Sequence, residues 1–370
     1  MEVGDEPPKK IKTHETFDPE KEEKDRISLL PDTLIINEIL CRLESTKDAI
    51  RTGSLSKRWR HLWPLVPSLV FYDCRQFPDF YSIVDKTLTQ CQLNELYKFR
   101  VCTNYDKRYK SHVKNWIHFA ISNNVQQLHL YLRDTKDEVD EFVLEDDAFF
   151  VNFHFTRLHL SGFVFKPSGS ISWNNLTHLT VSYWKVVEDL IAIILSGSPL
   201  LDTLTLDYCY GYSLLNITSK SVKNLVLCGY NDYMVDAIQI NAPYISSLTI
   251  MGDILLSKIY LQDVSSLVKA ELNYTILSYD ATESEVMLKS LLLRLKHVKE
   301  LKIGVYCSKV LSRLEAKGFI FPSNLKFVQA DYFVSDTETT DYSDSDTDLT
   351  ELGDCSDNDS SDSFLRLKSE

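Results

Sequence analysis

Apolar and polar positions follow a repeating order from about residue 96 to residue 330. Each copy has an apolar residue, two variable residues, and then an apolar–variable–apolar triplet. The copies are Leu96-Phe99-Val101, Val125-Leu128-Leu130, Phe155-Leu158-Leu160, Leu176-Leu179-Val181, Leu201-Leu204-Leu206, Val222-Leu225-Leu227, Ile245-Leu248-Ile250, Leu267-Ala270-Leu272, Val298-Leu301-Ile303 and Leu325-Val328-Ala330. Their first residues lie 29, 30, 21, 25, 21, 23, 22, 31 and 27 positions apart.

This spacing is typical of leucine-rich repeats. Because side chains alternate along a strand, the two ends of each triplet share one face of a short strand. A single strand cannot bury that face, whereas stacked copies form a parallel sheet over a continuous core. The pattern therefore predicts an α/β solenoid over residues 71–334, with the parallel sheet on its concave face. The side chains expected to line that face are His129, His159, Thr180, Thr205, Val226, Thr249, Glu271 and Lys302.

A different pattern precedes the repeats. Ile35, Ile39 and Leu43 recur at helical spacing after Asp32, which we expect to cap a helix. Ser45 and Thr46 offer a second helix start, and a third helix is predicted over residues 55–63. Three helices within residues 25–70 bury too little apolar surface to be stable without a partner or a neighbour.

The two ends of the chain lack an apolar pattern. Residues 1–24 and residues 335–370 are predicted to be disordered, because they cannot offset their ordering entropy by burial. Residues 335–363 hold eleven Asp or Glu and no Lys or Arg. Lys9, Lys10 and Lys12 form a basic cluster that fits either a nuclear-localisation signal or a solvated tail. An acidic insertion at 133–147 is predicted to loop out.

Composition restricts the possible partners. The net charge is -13, of which residues 335–363 carry eleven units, so the body is nearly neutral and offers no basic field for nucleic acid. The sequence lacks a signal peptide and an apolar stretch long enough for a bilayer. Its eight cysteines include no C-x-x-C pair, so no metal site is predicted. We expect an intracellular protein of the nucleus, the cytoplasm or both, with no cofactor and no membrane contact.

Residues 25–63, DRISLLPDTLIINEILCRLESTKDAIRTGSLSKRWRHLW, resemble the F-box of plant F-box/leucine-rich-repeat proteins. The matching parts are Leu30-Pro31-Asp32, the turn at 46–49 and the helix at 55–59. PSLVFYD at 67–73 and VLSRLEAKGFIFPSNLKF at 310–327 are also similar to that family. Many relatives carry a further domain after the repeats, where this sequence has the acidic tail, which leaves that domain's function in question.

The resemblance implies a role in ubiquitin ligation. F-box proteins of this kind bind a Skp-family adaptor, and through it a cullin, while the repeats hold a target protein. The family's adaptor contacts correspond here to Leu30, Pro31, Ile35, Ile39, Leu43, Leu55, Trp59, Leu62 and Trp63. For Trp59 and Trp63, core packing and adaptor contact are compatible hypotheses. Lys57, Arg58 and Arg60 form either a solvated face or a surface that steers an acidic partner.

Aromatic residues follow three central strands. We interpret them either as a target-binding patch or as rings that cover the edge of the solenoid. They are Tyr183, Trp184, Tyr208, Tyr210, Tyr230 and Tyr233.

Three hypotheses for function follow. The chain is the substrate-recognition subunit of a Skp–cullin–F-box ubiquitin ligase, a repeat-only binding scaffold with a vestigial F-box, or an enzyme on a repeat fold. The enzyme hypothesis requires a polar cluster with perturbed ionisation, and the sequence motifs of catalytic sites are missing. The first hypothesis is therefore preferred, with no catalytic residue.

Overall fold

The computed structural model describes residues 27, 29–73, 79–133, 141–186, 188–230, 232, 234–276, 281–320 and 326–329. All of them belong to residues 1–330, one of two units into which the chain divides, the other being residues 331–370. The tails predicted over residues 1–24 and 335–370 lie outside the described residues, as do the Lys9–Lys12 cluster and Tyr233.

Short helical turns cover residues 32–65. They are α1 (Asp32–Leu34), a π-helical turn (Ile35–Ile39), a 3-10 turn (Leu40–Arg42), α2 (Thr46–Arg51), a 3-10 turn (Thr52–Ser54), α3 (Lys57–Arg60) and a 3-10 turn (Trp63–Leu65).

Side-chain hydrogen bonds determine where these helices begin. Ser45 Oγ accepts from the backbone N–H of Asp48 at 3.2 Å, and its hydroxyl donates to the Asp48 carboxylate at 2.6 Å. The expectation that Asp32 caps the first helix is wrong. Pro31 occupies the cap position, and the Asp32 carboxylate instead accepts from Arg58 Nε at 2.7 Å. Asp32 therefore ties α1 to α3.

A parallel sheet follows, and it has eleven strands within the described residues. In their order across the sheet the strands are β1 (Ser68–Tyr72), β2 (Lys98–Asn104), β3 (Gln127–Arg133), β5 (Arg157–Ser161), β7 (His178–Ser182), β8 (Thr203–Asp207), β10 (Asn224–Tyr230), β12 (Ser247–Ile254), β14 (Lys269–Ile276), β15 (Glu300–Ile303) and β16 (Lys326–Gln329). The predicted α/β architecture with a large parallel sheet is confirmed.

Helices and two small parallel sheets connect these strands. The small sheets pair β4 (Phe142–Leu144) with β6 (Phe163–Phe165), and β9 (Leu214–Asn216) and β13 (Lys258–Leu261) with β11 (Ala237–Asn241). The helices are α4 (Phe80–Leu88), α5 (Lys110–Ser122), α6 (Asp147–Phe150), α7 (Glu188–Gly197), α8 (Ala281–Arg294) and α9 (Val305–Ala316).

Part of the acidic insertion belongs to this framework. The prediction that residues 133–147 loop out is wrong for β4, whose Phe142 and Leu144 are each 1% exposed. Apolar alternation inside an acidic stretch is sufficient to place this strand against β6.

The repeat register is confirmed for nine of the ten predicted copies. Their triplet residues are at most 4% exposed, and the central residues pair strand by strand from Phe99 to Leu301. The last copy is wrong by one residue, because Leu301 pairs with Phe327 and not with Val328. Both residues are apolar, so apolar spacing alone could not select between them.

The sheet also begins one copy earlier than predicted. Val66, Leu69 and Phe71 fit the same pattern, and Leu69 pairs with Phe99. The predicted boundary between residues 70 and 71 therefore falls within β1.

Two apolar cores lie on either side of this boundary. One is shared by the strands, helices and small sheets of the repeats, and the other belongs to residues 35–66. A buried hydrogen bond joins the segments: the backbone N–H of Val70 donates to Thr46 Oγ1 at 2.7 Å. The helical segment is thus anchored on the first strand while its core remains separate.

Gly162 follows β5, and its substitution tests the tight stacking of the strands. Its φ is +79°, and an added Cβ would lie 2.3 Å from the Leu132 carbonyl oxygen. We expect Gly162→Ala to lower the free energy of unfolding by about 2–3 kcal/mol, through backbone strain and steric overlap. Urea unfolding measures this change. Gly169→Ala is the control, because no atom lies within 4 Å of its added Cβ. Equal effects of the two substitutions would contradict the prediction.

Candidate functional site

Four of the nine predicted adaptor contacts are inside the helical segment. Ile35, Trp59, Leu62 and Trp63 are 0–5% exposed and form its small apolar core. The prediction of direct adaptor contact is therefore corrected for these four residues, because neighbouring side chains already cover them. They support the surface that the remaining predicted contacts form.

The other five predicted contacts reach the surface. Leu55 is 67% exposed, Pro31 is exposed, and Leu30, Ile39 and Leu43 are half-buried. Sequence reasoning missed two more exposed leucines, Leu29 at 70% and Leu34 at 46%. We call Leu29, Leu34 and Leu55 the exposed leucines.

Arg58 holds the segments with the exposed leucines together. Its guanidinium donates to the Asp32 carboxylate and to the Leu30 carbonyl oxygen. Leu29 and Leu34 flank this anchored stretch, and Leu55 lies just before α3. Arg58 is half-buried in these contacts, whereas Lys57 and Arg60 are exposed. Of the three basic residues, Arg58 therefore has a structural role.

The second candidate surface is the face of the large sheet opposite the triplet side chains, which we call the open face. The repeat prediction makes this face concave. Its middle row is Val70, Arg100, His129, His159, Thr180, Thr205, Val226, Thr249, Glu271 and Lys302. The row toward the carboxyl ends of the strands is Tyr72, Cys102, Tyr131, Ser161, Ser182, Asp207, Cys228, Met251 and Asn273. The eight residues predicted to line the concave face, His129 through Lys302, all lie in this middle row.

Polar side chains of the open face form a continuous array across β3, β5, β7, β8 and β10. The Tyr131 hydroxyl lies 2.6 Å from His159 Nδ1, and Ser182 Oγ lies 3.4 Å from His159 Nε2. Ser182 and Cys228 in turn hydrogen-bond to the Asp207 carboxylate.

The directions of these hydrogen bonds follow from the groups' ionisation. Burial raises the pKa of the Tyr131 hydroxyl, which therefore stays protonated and donates to His159 Nδ1. The neutral imidazole then carries its hydrogen on Nε2 and donates to Ser182 Oγ. Ser182 and the Cys228 thiol donate to Asp207. We assign the array on this basis, with the carboxylate as its final acceptor.

Desolvation controls the charge of the two histidines. Burial, reinforced by the positive charge of Arg100, lowers the pKa of His129 to about 3 and that of His159 to about 4. Asp207 has a raised pKa, because burial outweighs the hydrogen bonds from Cys228 and Ser182. Both imidazoles are therefore uncharged at neutral pH.

This array is the polar cluster that the enzyme hypothesis required and that the sequence did not reveal. Its residues come from five strands and share no local motif. Ser182 is only 1% exposed, so its hydroxyl is closed off from a substrate. The arrangement matches a buried hydrogen-bond network that fixes the surface above it.

Two stacked tyrosines, Tyr183 and Tyr208, lie beside this network. Tyr183 and Tyr208 follow β7 and β8 with φ values of +55° and +47°, a left-handed conformation that is costly for residues other than glycine. Their rings stack with centroids 5.5 Å apart and planes 6° apart. Tyr208 also lies over Gly229, where an added Cβ would be 2.6 Å from the ring. Tyr183 is 52% exposed and Tyr208 is half-buried.

The other described aromatic residues that were predicted to bind the target lie outside this stacked pair. Trp184 and Tyr230 are each 2% exposed, so they are core residues and the prediction of a contact surface is corrected for both. Trp184 packs on Phe165 at 5.0 Å, and the Tyr230 hydroxyl donates to the Tyr212 carbonyl at 2.8 Å. Tyr210 is half-buried, with its hydroxyl 3.5 Å from Glu141.

Other kinds of site were also considered. Among the described residues, His, Cys, Asp and Glu side chains form no group of three able to hold a metal ion. In the same part of the chain, no helix is long and apolar enough to cross a membrane.

Comparison with known proteins identifies the family. The family model described as "At1g61320/AtMIF1, LRR domain" matches residues 89–328. Among Arabidopsis thaliana proteins, "Putative F-box protein At1g49610" is 34% identical over 315 residues, which are 81% of this chain and 75% of that protein. This chain belongs to the F-box/LRR-repeat protein family. "F-box protein At5g03100" from the same plant is 32% identical over 308 residues, covering 80% of this chain and 94% of that protein.

Some F-box/LRR-repeat relatives are longer. "F-box/LRR-repeat protein At3g03360" is 31% identical over 319 residues, which are 82% of this chain but 63% of that protein. The match therefore leaves more than a third of that relative without a counterpart here.

Several open-face residues escaped sequence reasoning. Arg100, Tyr131, Ser182 and Asp207 lie at alternate positions of their strands, as do the residues that were predicted. Continuing the same alternation to β2 and to the row toward the carboxyl ends of the strands would have identified them. Their mutual contacts depend on pairing between strands, which a single sequence does not display.

Proposed function

We propose that this chain is the substrate-recognition subunit of a Skp–cullin–F-box ubiquitin ligase. Its helical segment, within the predicted F-box at residues 25–70, docks the Skp-family adaptor and through it a cullin. The repeats, predicted over residues 71–334, hold the target protein. The chain itself acts without catalysis, without a cofactor, and in the nucleus, the cytoplasm or both. The name "F-box/LRR-repeat protein At3g03360", which joins the two parts, supports a role in protein interaction.

The exposed leucines are the observation that carries this proposal. The apolar core of the helical segment is complete without them, so they do not serve its folding. Leu55 and Leu29 are 67% and 70% exposed, and several exposed apolar side chains on one small helical module are typical of a protein interface. Pro31, Leu30, Ile39 and Leu43 extend this proposed contact.

Co-purification with a Skp-family adaptor tests this proposal. We expect the full chain to capture the adaptor and Leu55→Asp to reduce capture about 100-fold, because a buried unpaired carboxylate costs several kcal/mol. Leu34→Asp should act in the same direction. Circular dichroism should show all variants folded, since both side chains are largely exposed.

Leu200→Asp is the matched control, because Leu200 is 55% exposed but lies in the repeats. It should capture the adaptor normally. A folded full chain that captures no adaptor would favour the alternative, a repeat-only scaffold with a vestigial F-box. Equal losses from Leu55→Asp and Leu200→Asp would also reject docking through the exposed leucines.

For the target, we propose that Tyr183, Tyr208 and Tyr210 contribute to the contact surface. The stacked pair supports this assignment, because strained backbone and exposed aromatic rings concentrate at binding sites. Tyr183 is a better contact than Tyr208, since it is 52% exposed. Tyr233 retains its predicted role, on sequence grounds alone.

A further inference from the structure

The open face has a strongly uneven charge. A third row of this face, toward the amino ends of the strands, contains Lys98 and Arg157. On β1, β2, β3, β5 and β7 the three rows contain these two residues and Arg100 but no Asp or Glu. Carboxylates begin at Asp207 on β8, and near the other end Glu271 and Glu300 are matched by Lys302 and Lys269. Unbalanced positive charge is therefore concentrated at one end of the face, which suits a short acidic segment better than a long polyanion such as nucleic acid.

Arg100 is the centre of this basic end. Its guanidinium carbon lies 5.1 Å from the ring centroid of Tyr72 on one neighbouring strand and 5.1 Å from that of Tyr131 on the other. The two rings hold the guanidinium by cation–π contacts. Stacking leaves the edge of an arginine, with its N–H groups, available for a planar oxyanion.

This guanidinium has no counter-ion among the residues that the structure describes. Within the described part of the chain, no carboxylate forms an ion pair with Arg100, and its Nε is buried without a hydrogen-bond partner. His129 Nε2, in the next position of the same row, is likewise buried without a partner. An unsatisfied buried N–H is costly, so an oxyanion that accepts from the guanidinium of Arg100 would offset part of that cost.

The surroundings concentrate positive potential on this position. Lys98 lies on the same strand, and its pKa is lowered by burial and by the charge of Arg100. The charges of Lys98, Arg100 and Arg157 all disfavour protonation of His129. An anion bound among them would relieve this repulsion.

We propose that the Tyr72–Arg100–Tyr131 cluster, with His129 and Lys98, binds an acidic side chain, carboxylate or phosphate, in a short segment of the target protein. This inference rests on the proposed function, because it gives the chemical class of what the repeats hold. The oxyanion accepts from the exposed edge of Arg100. The tyrosine rings exclude water from both faces of the guanidinium, which strengthens the contact.

Fluorescence anisotropy with the full chain and three labelled ten-residue peptides tests the proposal. One peptide has two central glutamates in a Gly/Ser background, one has two phosphoserines, and one has two glutamines. We expect both anionic peptides to bind and the glutamine peptide not to bind. Arg100→Gln should weaken binding about 10- to 100-fold, the loss typical of a charge-assisted hydrogen bond. Arg100→Lys should recover part of the affinity, because it restores charge without the planar edge.

Lys302→Gln is the matched control, since it removes one positive charge from the same row at the opposite end of the sheet. It should change affinity less than about twofold, because distant surface charges are screened at physiological salt. Circular dichroism checks that each variant is folded, and Lys98→Gln provides a second substitution that should weaken binding. Equal losses for Arg100→Gln and Lys302→Gln, or binding of the glutamine peptide, would overturn the proposal.

Absence of binding by either anionic peptide would overturn it too. Preference for the phosphoserine peptide would assign the oxyanion to phosphate, and equal affinity would assign it to acidic side chains in general. Adaptor capture is measured separately and does not involve Arg100. Arg100→Gln should therefore still capture the adaptor, so the failure of one proposal is distinguishable from the failure of the other.

Discussion

Acidification from pH 7 to pH 4.5 is expected to destabilise the repeats through His129 and His159. The pKa values of these imidazoles are about 3 and about 4 in the folded chain and about 6.5 when unfolded. Below pH 6.5 the unfolded state therefore binds more protons, and stability falls as the pH decreases toward the folded pKa values. At about 1.4 kcal/mol per pKa unit, and allowing for their partial exposure, we expect the pair to contribute a loss of about 2–4 kcal/mol.

Urea unfolding at pH 7, 6, 5 and 4.5 measures this loss. The double variant His129→Gln, His159→Gln cannot take up these protons and should have a flatter dependence of stability on pH. His154→Gln replaces an exposed histidine of the same repeats and is the control. The raised pKa of Asp207 acts in the opposite direction and is common to all variants. Parallel curves for wild type and the double variant would refute the prediction.

Trp59→Ala is expected to unfold the helical segment and to leave the large sheet folded. Trp59 is 5% exposed, and truncation of a buried aromatic costs about 3–5 kcal/mol. A core this small contributes no more stability than that. The two apolar cores are separate, so the loss should stay local. Hydrogen exchange should show lost protection over residues 32–65 and retained protection in the strands.

Comparison with Leu55→Asp separates a core role from a contact role. Both substitutions should strongly reduce adaptor capture, but only Trp59→Ala should abolish protection in the helical segment. Cooperative unfolding of the whole chain by Trp59→Ala would show that the junction through Thr46 and Val70 couples the two cores.

Much of the sheet was predictable from sequence, because one physical requirement recurs in every copy. Triplets such as Leu204-x-Leu206 must be buried on one face, and nine of ten predicted registers are confirmed. Prediction failed where apolar positions adjoin, as at Phe327 and Val328. It also failed at Phe142, where surrounding acidic residues concealed a short buried strand.

The candidate sites were less predictable, because exposure depends on tertiary packing. Nothing local distinguishes Trp59 and Tyr230, which are buried, from Leu55 and Tyr183, which are exposed. The unpaired edge of Arg100 likewise arises only when β1 and β3 place a tyrosine on each side of it.

The regular register of the open face also fixes the distance between the two proposed target contacts. Three strand spacings, about 14 Å, separate Arg100 on β2 from β7, and Tyr183 lies three residues beyond the row of Arg100, so the two side chains are about 17 Å apart along the face. An extended segment that crosses the strands covers that distance with about five residues. A target that uses both contacts therefore needs its acidic side chain and its tyrosine-binding group at roughly this separation, and a shorter motif can engage only one of them.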